Sequence, residues 1–215
     1  MKIRFNWVVV LVLIFISASC LSSAQGLLSG VVPEKLHELG EAFSGGLVSL
    51  AANGTGSSTG SVVAGSIRNN TPNEIHINVI LPGGLYLQNS GPGQNMVATQ
   101  VFLAGGEYID AGKTRYISLS PNTETKIIFW AFCADFERDN PAVTETFSIV
   151  PMPPAFKPIA SKISSFMADN FFDDEIDIPV QLALWRSQGV GRLAIAGKFE
   201  FTDFDWEASA VIMNY

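Results

Sequence analysis

Between residues 61 and 150 the chain runs in short apolar stretches split by Asn, Pro, Gly and Ser, and after residue 151 the apolar positions change to helical spacing. Alternation with period two places successive side chains on opposite faces of a strand, whereas a 3.6-residue period gathers them on one face of a helix. The first pattern predicts strands over 62–68, 74–80, 85–88, 96–103, 108–110, 114–119 and 125–133, with 147–150 closing the sheet. In the second of these, Ile75, Ile77 and Val79 alternate with Glu74, His76 and Asn78, so one face is buried and the other wet. Residues 125–133, ending in Ile-Ile-Phe-Trp-Ala-Phe-Cys, form the most apolar run, which predicts a central strand covered on both faces. Five to eight strands at this spacing predict a mainly β fold, a β-sandwich of immunoglobulin-like type, with a short N-terminal helix and a C-terminal helical segment.

The helical part follows Pro151-Met152-Pro153-Pro154, which removes ladder donors and so ends strand character. Ile159, Ile163, Phe166 and Met167 share one face of a helix predicted over 158–170. Asp177 is the expected N-cap of a second helix, with Pro179 in its first turn and its end near residue 187. Its run Val180-Gln181-Leu182-Ala183-Leu184-Trp185 is apolar nearly all round except at Gln181, which predicts a buried helix with one buried amide. Gly189 and Gly191 stop it. The tail from 193 to 215 is expected to pack back as a strand and a helix. Near the start, Pro33 opens an expected helix with Leu36, Leu39 and Phe43 on one side. The run Asn53-Gly-Thr-Gly-Ser-Ser-Thr-Gly60 has no apolar residue and reads as a linker. The expected organisation is therefore a signal peptide over 1–24, an N-terminal helix and Gly/Ser-rich linker over 25–60, and a β-sandwich with C-terminal helices over 61–215.

The first residues change the compartment. Lys2 and Arg4, the apolar run 7–16 and the small residues after it have the three parts of a secretory leader. Cleavage after Ala24 fits Ser22-Ser23-Ala24, and Ser17-Ala18-Ser19-Cys20 is a rival lipoprotein box whose Cys20 would be acylated. The expectation is a secreted or cell-surface protein, or one lipid-anchored through Cys20, with membrane contact only in the second case. The whole chain of 215 residues has a formal charge of −7, and losing Lys2 and Arg4 makes it more acidic. That sign argues against nucleic acid and anionic membrane surfaces as partners.

Export makes Cys133 notable, because Cys20, the other of the two cysteines, is discarded or acylated under either cleavage. An unpaired thiol in an oxidising compartment is buried, metal-bound, paired between chains or chemically committed. Gln181 is the second anomaly. A primary amide buried without partners costs about 1–3 kcal/mol, so this one needs a defined partner. Backbone groups at a helix–sheet seam are the ordinary answer, as an inert buried thiol is for Cys133.

Phe132-Cys133-Ala134 resembles the aromatic-Cys-apolar motif of bacterial surface thioester domains, and Val180-Gln181-Leu182-Ala183-Leu184-Trp185 resembles their Thr-Gln-x-x-apolar-Trp motif, with Val180 standing where threonine is usual. The resemblance implies an internal thioester between Cys133 and Gln181, supported by Phe132 and Trp185, that captures a nucleophile on a protein or surface. It implies a non-catalytic adhesion module without a cofactor. The alternative is an ordinary extracellular structural or binding β-sandwich with an inert buried cysteine.

Other chemistries are less well supplied. A cysteine hydrolase needs a histidine at the thiolate, and a blue-copper centre needs two. His37 lies in the expected N-terminal helix and His76 on a wet strand face. Asp169, Asp173, Asp174, Glu175 and Asp177 match no EF-hand spacing and read as a solvated helix connection. Asn53-Gly54-Thr55 and Asn69-Asn70-Thr71 fit the N-glycosylation triplet. No catalytic residues and no metal ligands are assigned.

Overall fold

The computed structural model describes residues 33, 35–105, 115–170 and 174–215. The expected leader over 1–24, its cleavage at Ala24, the acylation of Cys20 and the strand over 108–110 lie outside them.

The strands are β1 (Leu36–His37), β2 (Val48–Gly54), β3 (Thr59–Asn69), β4 (Ile75–Asn78), β5 (Ile80–Asn89), β6 (Met96–Leu103), β7 (Tyr116–Leu119), β8 (Glu124–Cys133) and β9 (Thr146–Val150). Six of them close into one barrel in the order β2-β3-β8-β6-β5-β9, and β1, β4 and β7 form a separate three-stranded sheet. The mainly β expectation holds. The closure differs from two facing immunoglobulin-type sheets, because β9 pairs with both β5 and β2 and so joins the two ends of the sheet. Period-two alternation looks alike in a sandwich and in a barrel; only edge pairing separates them.

The Asn53–Gly60 run is a hairpin turn and not a linker. It connects β2 to β3, which pair from Val48 opposite Asn69 to Gly54 opposite Val63, so the barrel draws on residues on both sides of the boundary expected at residue 60. The helix expected from Pro33 is shorter, with α1 (Leu39–Ser44) preceded by β1. In the second half come α2 (Lys157–Asp169), α3 (Asp177–Arg186), α4 (Arg192–Ala196) and α5 (Asp203–Met213). The tail is thus helical, without the expected strand. Thr202 caps α5 through a box in which its hydroxyl accepts from the Asp205 N–H while the Asp205 carboxylate accepts from the Thr202 N–H.

Strand β8 lies between β3 and β6, the central place expected for it. Its side chains divide by pleat. Phe129, Ala131 and Cys133 join the core that fills the barrel with Val63, Met96 and Val101, whereas Phe132 and Ala134 join a second core with Ile159 and Ile163 of α2 and Val180, Ala183 and Leu184 of α3. Only the end of the strand, Ala131 to Cys133, is buried on both faces, one side by the barrel and the other by helices; further back Glu124 and Lys126 are exposed and Ile128 and Trp130 half-buried. Helix α3 contributes to both cores, since Leu182 and Trp185 belong to the barrel core. All its residues from Pro179 to Trp185 are buried.

Candidate functional site

Two anchors set α3 against the barrel. At its start the Asp177 carboxylate accepts the indole N–H of Trp130 at 2.6 Å. Asp177 is the first helical residue and not the expected N-cap; Ile176 takes that position without a side-chain bond. The carboxylate fits because Gly60 lies beneath it. A Cβ there would come within 2.6 Å of Asp177 Oδ2, and the backbone at φ +78° is one that L side chains rarely adopt.

One turn further along is the second anchor. Strand β3 starts at Thr59, opposite Phe132, so the β3–β8 ladder has no residue for Cys133. The Gln181 side chain fills that place. Its Oε1 accepts from the Cys133 N–H and its Nε2 donates to the Cys133 carbonyl oxygen, both at 2.8 Å. A carboxamide has the donor and acceptor geometry of a peptide group, so it continues the ladder by one step. Both residues are fully shielded from solvent. The partner that a buried amide demands is therefore the backbone of Cys133.

The thiol of Cys133 is free and buried. Burial, with the nearby Asp135 carboxylate adding to it, pushes its pKa up to about 12. Asp135 itself is oriented by Asn95, whose backbone N–H and side-chain amide both donate to it, at 2.9 and 2.6 Å. At neutral pH the sulfur is a neutral thiol with little nucleophilic character. Opposite Cys133 across β6 is Met96, another shielded apolar side chain.

The supporting residues occupy different positions. Phe132 points into the helix-covered core. Trp185 lies one turn beyond Gln181 and packs edge-to-face with Phe136 and Phe199, ring centroids 5.2 and 5.4 Å away. Its indole N–H is buried without a hydrogen-bond partner.

The histidines are elsewhere. His37 and His76 belong to β1 and β4 of the three-stranded sheet, while Cys133 belongs to the barrel. His76 Nδ1 is 2.9 Å from the Ser118 hydroxyl. Asn69 is fully buried and its amide donates to the Asn73 and Leu119 carbonyls, so the second glycosylation triplet offers no accessible acceptor. No group of three or more metal-ligating side chains occurs among the described residues.

Two features were beyond sequence reasoning. The Trp130–Asp177 bond joins residues 47 apart, and Asp177 carries a capping signal that explains it without any tertiary partner. Gln94, from the loop after β5, also has a buried side-chain oxygen without a partner, yet its sequence context of Gly, Pro and Asn reads simply as a turn. The chain matches no family model, no curated protein and no solved structure.

Proposed function

We propose that the protein is an exported, non-enzymatic surface-attachment module in which Cys133 and Gln181 close an internal thioester that captures a nucleophile. The observation that carries this reading is the delivery of the Gln181 carboxamide, in a site closed to water, to the residue that bears the thiol. The reaction balances without a cofactor. The Cys133 sulfur bonds to the Gln181 side-chain carbonyl carbon, the carbon–nitrogen bond breaks, and the thiol proton leaves with the nitrogen as ammonia. The Cys133 N–H on Oε1 is placed to hold the charge that develops on that oxygen. Capture reverses the polarity: an amine attacks the same carbon, an amide forms and the thiol is released. Shielding from water gives the bond its lifetime.

A second reading is favoured by one detail of the same geometry. Both polar atoms of the Gln181 amide are already satisfied, so the residue also suffices as a non-covalent clamp in an ordinary extracellular binding module with an inert thiol.

Intact mass of freshly purified protein distinguishes them. A deficit of one ammonia, replaced by a gain on treatment with methylamine and absent in Cys133→Ala, supports the thioester; the encoded mass leaves the clamp. Alkaline titration is independent of the mass. A free thiol whose pKa rises from 9.0 to about 12 on folding stabilises the fold fully below pH 9. That contribution is lost as pH climbs from 9 towards 12, at a slope of about 1.4 kcal/mol per pH unit, because only the unfolded thiol ionises. A thioester has no thiol to titrate, so its stability curve lacks this step, as that of Cys133→Ala does.

A further inference from the structure

Helix α5 has two unlike faces. Asp205, Ser209 and Ile212 are buried, whereas Phe204, Val211 and Tyr215 are 74%, 60% and 50% exposed. With Ala208 among them, these apolar residues follow one another at intervals of four, three and four, which sets them in one row along the outside of α5 and just past its end. The row lines a groove of about 770 Å³ to which α2 contributes Phe166, whose ring meets that of Tyr215 edge-to-face at 5.5 Å between centroids. From Phe204 to Tyr215 the groove runs about 16 Å, or three helical turns. Single exposed apolar side chains are ordinary, but a row of them at helical spacing along a groove is the surface on which an amphipathic helix packs.

Charge selects among the occupants. Among the described residues lining the groove Glu207 alone is charged; it is exposed, and no described cation forms an ion pair with it. The cations around α5 are engaged elsewhere: Lys162 donates to the Met213 carbonyl at 2.7 Å, Arg186 to the Trp206 carbonyl, and Arg192 pairs with Asp203. A second carboxylate, that of Asp169, is held beside the groove by the Tyr215 hydroxyl, which donates to it. A second copy of this chain fits poorly, because antiparallel stacking across Ala208 sets each Glu207 against its counterpart and both copies carry net negative charge. An anionic lipid surface is repelled for the same reason.

We propose that this groove docks a cationic amphipathic helix of another polypeptide, its apolar face on Phe204, Val211 and Tyr215 and an Arg or Lys on Glu207. The site draws on neither Cys133 nor Gln181.

The test titrates nitrogen-15-labelled protein with an acetylated helical peptide of Leu, Ala and Arg, Leu on one face and Arg on its flanks, and follows the backbone amide signals by NMR. Its controls are the same peptide scrambled and one with Glu in place of Arg. Having no amine, these peptides offer a thioester nothing to capture, so the result is independent of the chemistry at Cys133. The expected result is a saturable shift at Ala208 and Val211 with the Arg helix. Affinity should fall about tenfold for the scrambled peptide, in Phe204→Ser and in Glu207→Lys, and Glu207→Lys should gain affinity for the Glu peptide. Both substituted side chains are exposed, and Val211→Ser, exposed as well, replaces either variant should it fail to fold. Absence of a saturable shift overturns the proposal, as does equal affinity for the scrambled peptide or undiminished affinity in a folded variant. Two further outcomes overturn it by assigning the row to another occupant: binding to neutral phosphatidylcholine vesicles, or a doubled mass in light scattering, either one lost in Phe204→Ser.

Discussion

Gln181 and Gln94 are both buried amides close to the end of β8, and they are satisfied in opposite ways. Gln181 has its oxygen and nitrogen bonded to a single peptide unit, that of Cys133, in the manner of a strand neighbour. Gln94 is held by its backbone, whose N–H donates to the Asp139 carbonyl, while its side-chain oxygen has no partner. A buried amide that completes a ladder is structural, because removing it leaves the backbone uncompensated. A buried amide whose oxygen has no partner holds nothing in place and contributes little to the fold. Equal burial and equal chemistry thus divide by what lies opposite.

The largest effect is expected where the amide completes the ladder. Gln181→Leu leaves the Cys133 N–H and carbonyl without partners in a dry site and should cost about 3 kcal/mol in chemical denaturation. A loss under 1 kcal/mol would show that water or a neighbour replaces the amide and would erase the contrast. Asp177→Ala breaks the other anchor of α3 and should cost about 1.5 kcal/mol, less because the carboxylate is only half-buried and can be replaced by solvent. The same variant should shift the Trp130 indole N–H signal. Gln94→Leu should cost nothing and gain up to about 1 kcal/mol, since a buried oxygen without a partner is exchanged for an apolar group of similar size. A cost equal to that of Gln181→Leu would collapse the distinction between the two glutamines.

The smallest effect concerns the loop that carries Gln94. Glu145 accepts from the Asn89 side-chain amide and the Gly93 N–H, at 2.8 and 3.1 Å, and also from the Ala142 N–H at 2.8 Å. The Asn89 bond, followed by that of Gly93, holds its carboxyl below the usual carboxylate range. A lowered folded pKa means the contribution is present above the unfolded value and lost as pH falls through the folded one. Between neutral pH and pH 3, amide exchange at Gly93 should therefore accelerate in the parent beyond its intrinsic pH trend. In Glu145→Gln that acid step should be absent. An acid step of the same size in the variant would assign the loosening to another group.

Much of the site was readable along the chain because it rests on local rules. The apolar run ending at Cys133 predicts a central strand dry on both faces; β8 is central, and its last three residues alone are buried on both faces. The single amide in an apolar helix announced a bonded partner, and the partner is backbone. Asp177 was misassigned for a physical reason. An Asp before an apolar run is a good cap in isolation, but the Trp130 indole, met where α3 packs on β8, takes the same carboxylate. The run from Asn53 to Gly60 reads as a linker because a hairpin connection and a flexible connector use the same small polar residues.

By itself the sequence determined the strand period over 61–150, the two helices that follow it, the dryness of the end of β8 and the demand of Gln181 for a partner, since these follow from spacing and from the cost of burying polar atoms. Only the tertiary structure decided that the strands close into a barrel, that β3 starts one residue too late to cover Cys133, and that Gln181 fills the gap. Those outcomes depend on which edges meet and where a ladder runs out, and neither is encoded in the alternation of any one strand.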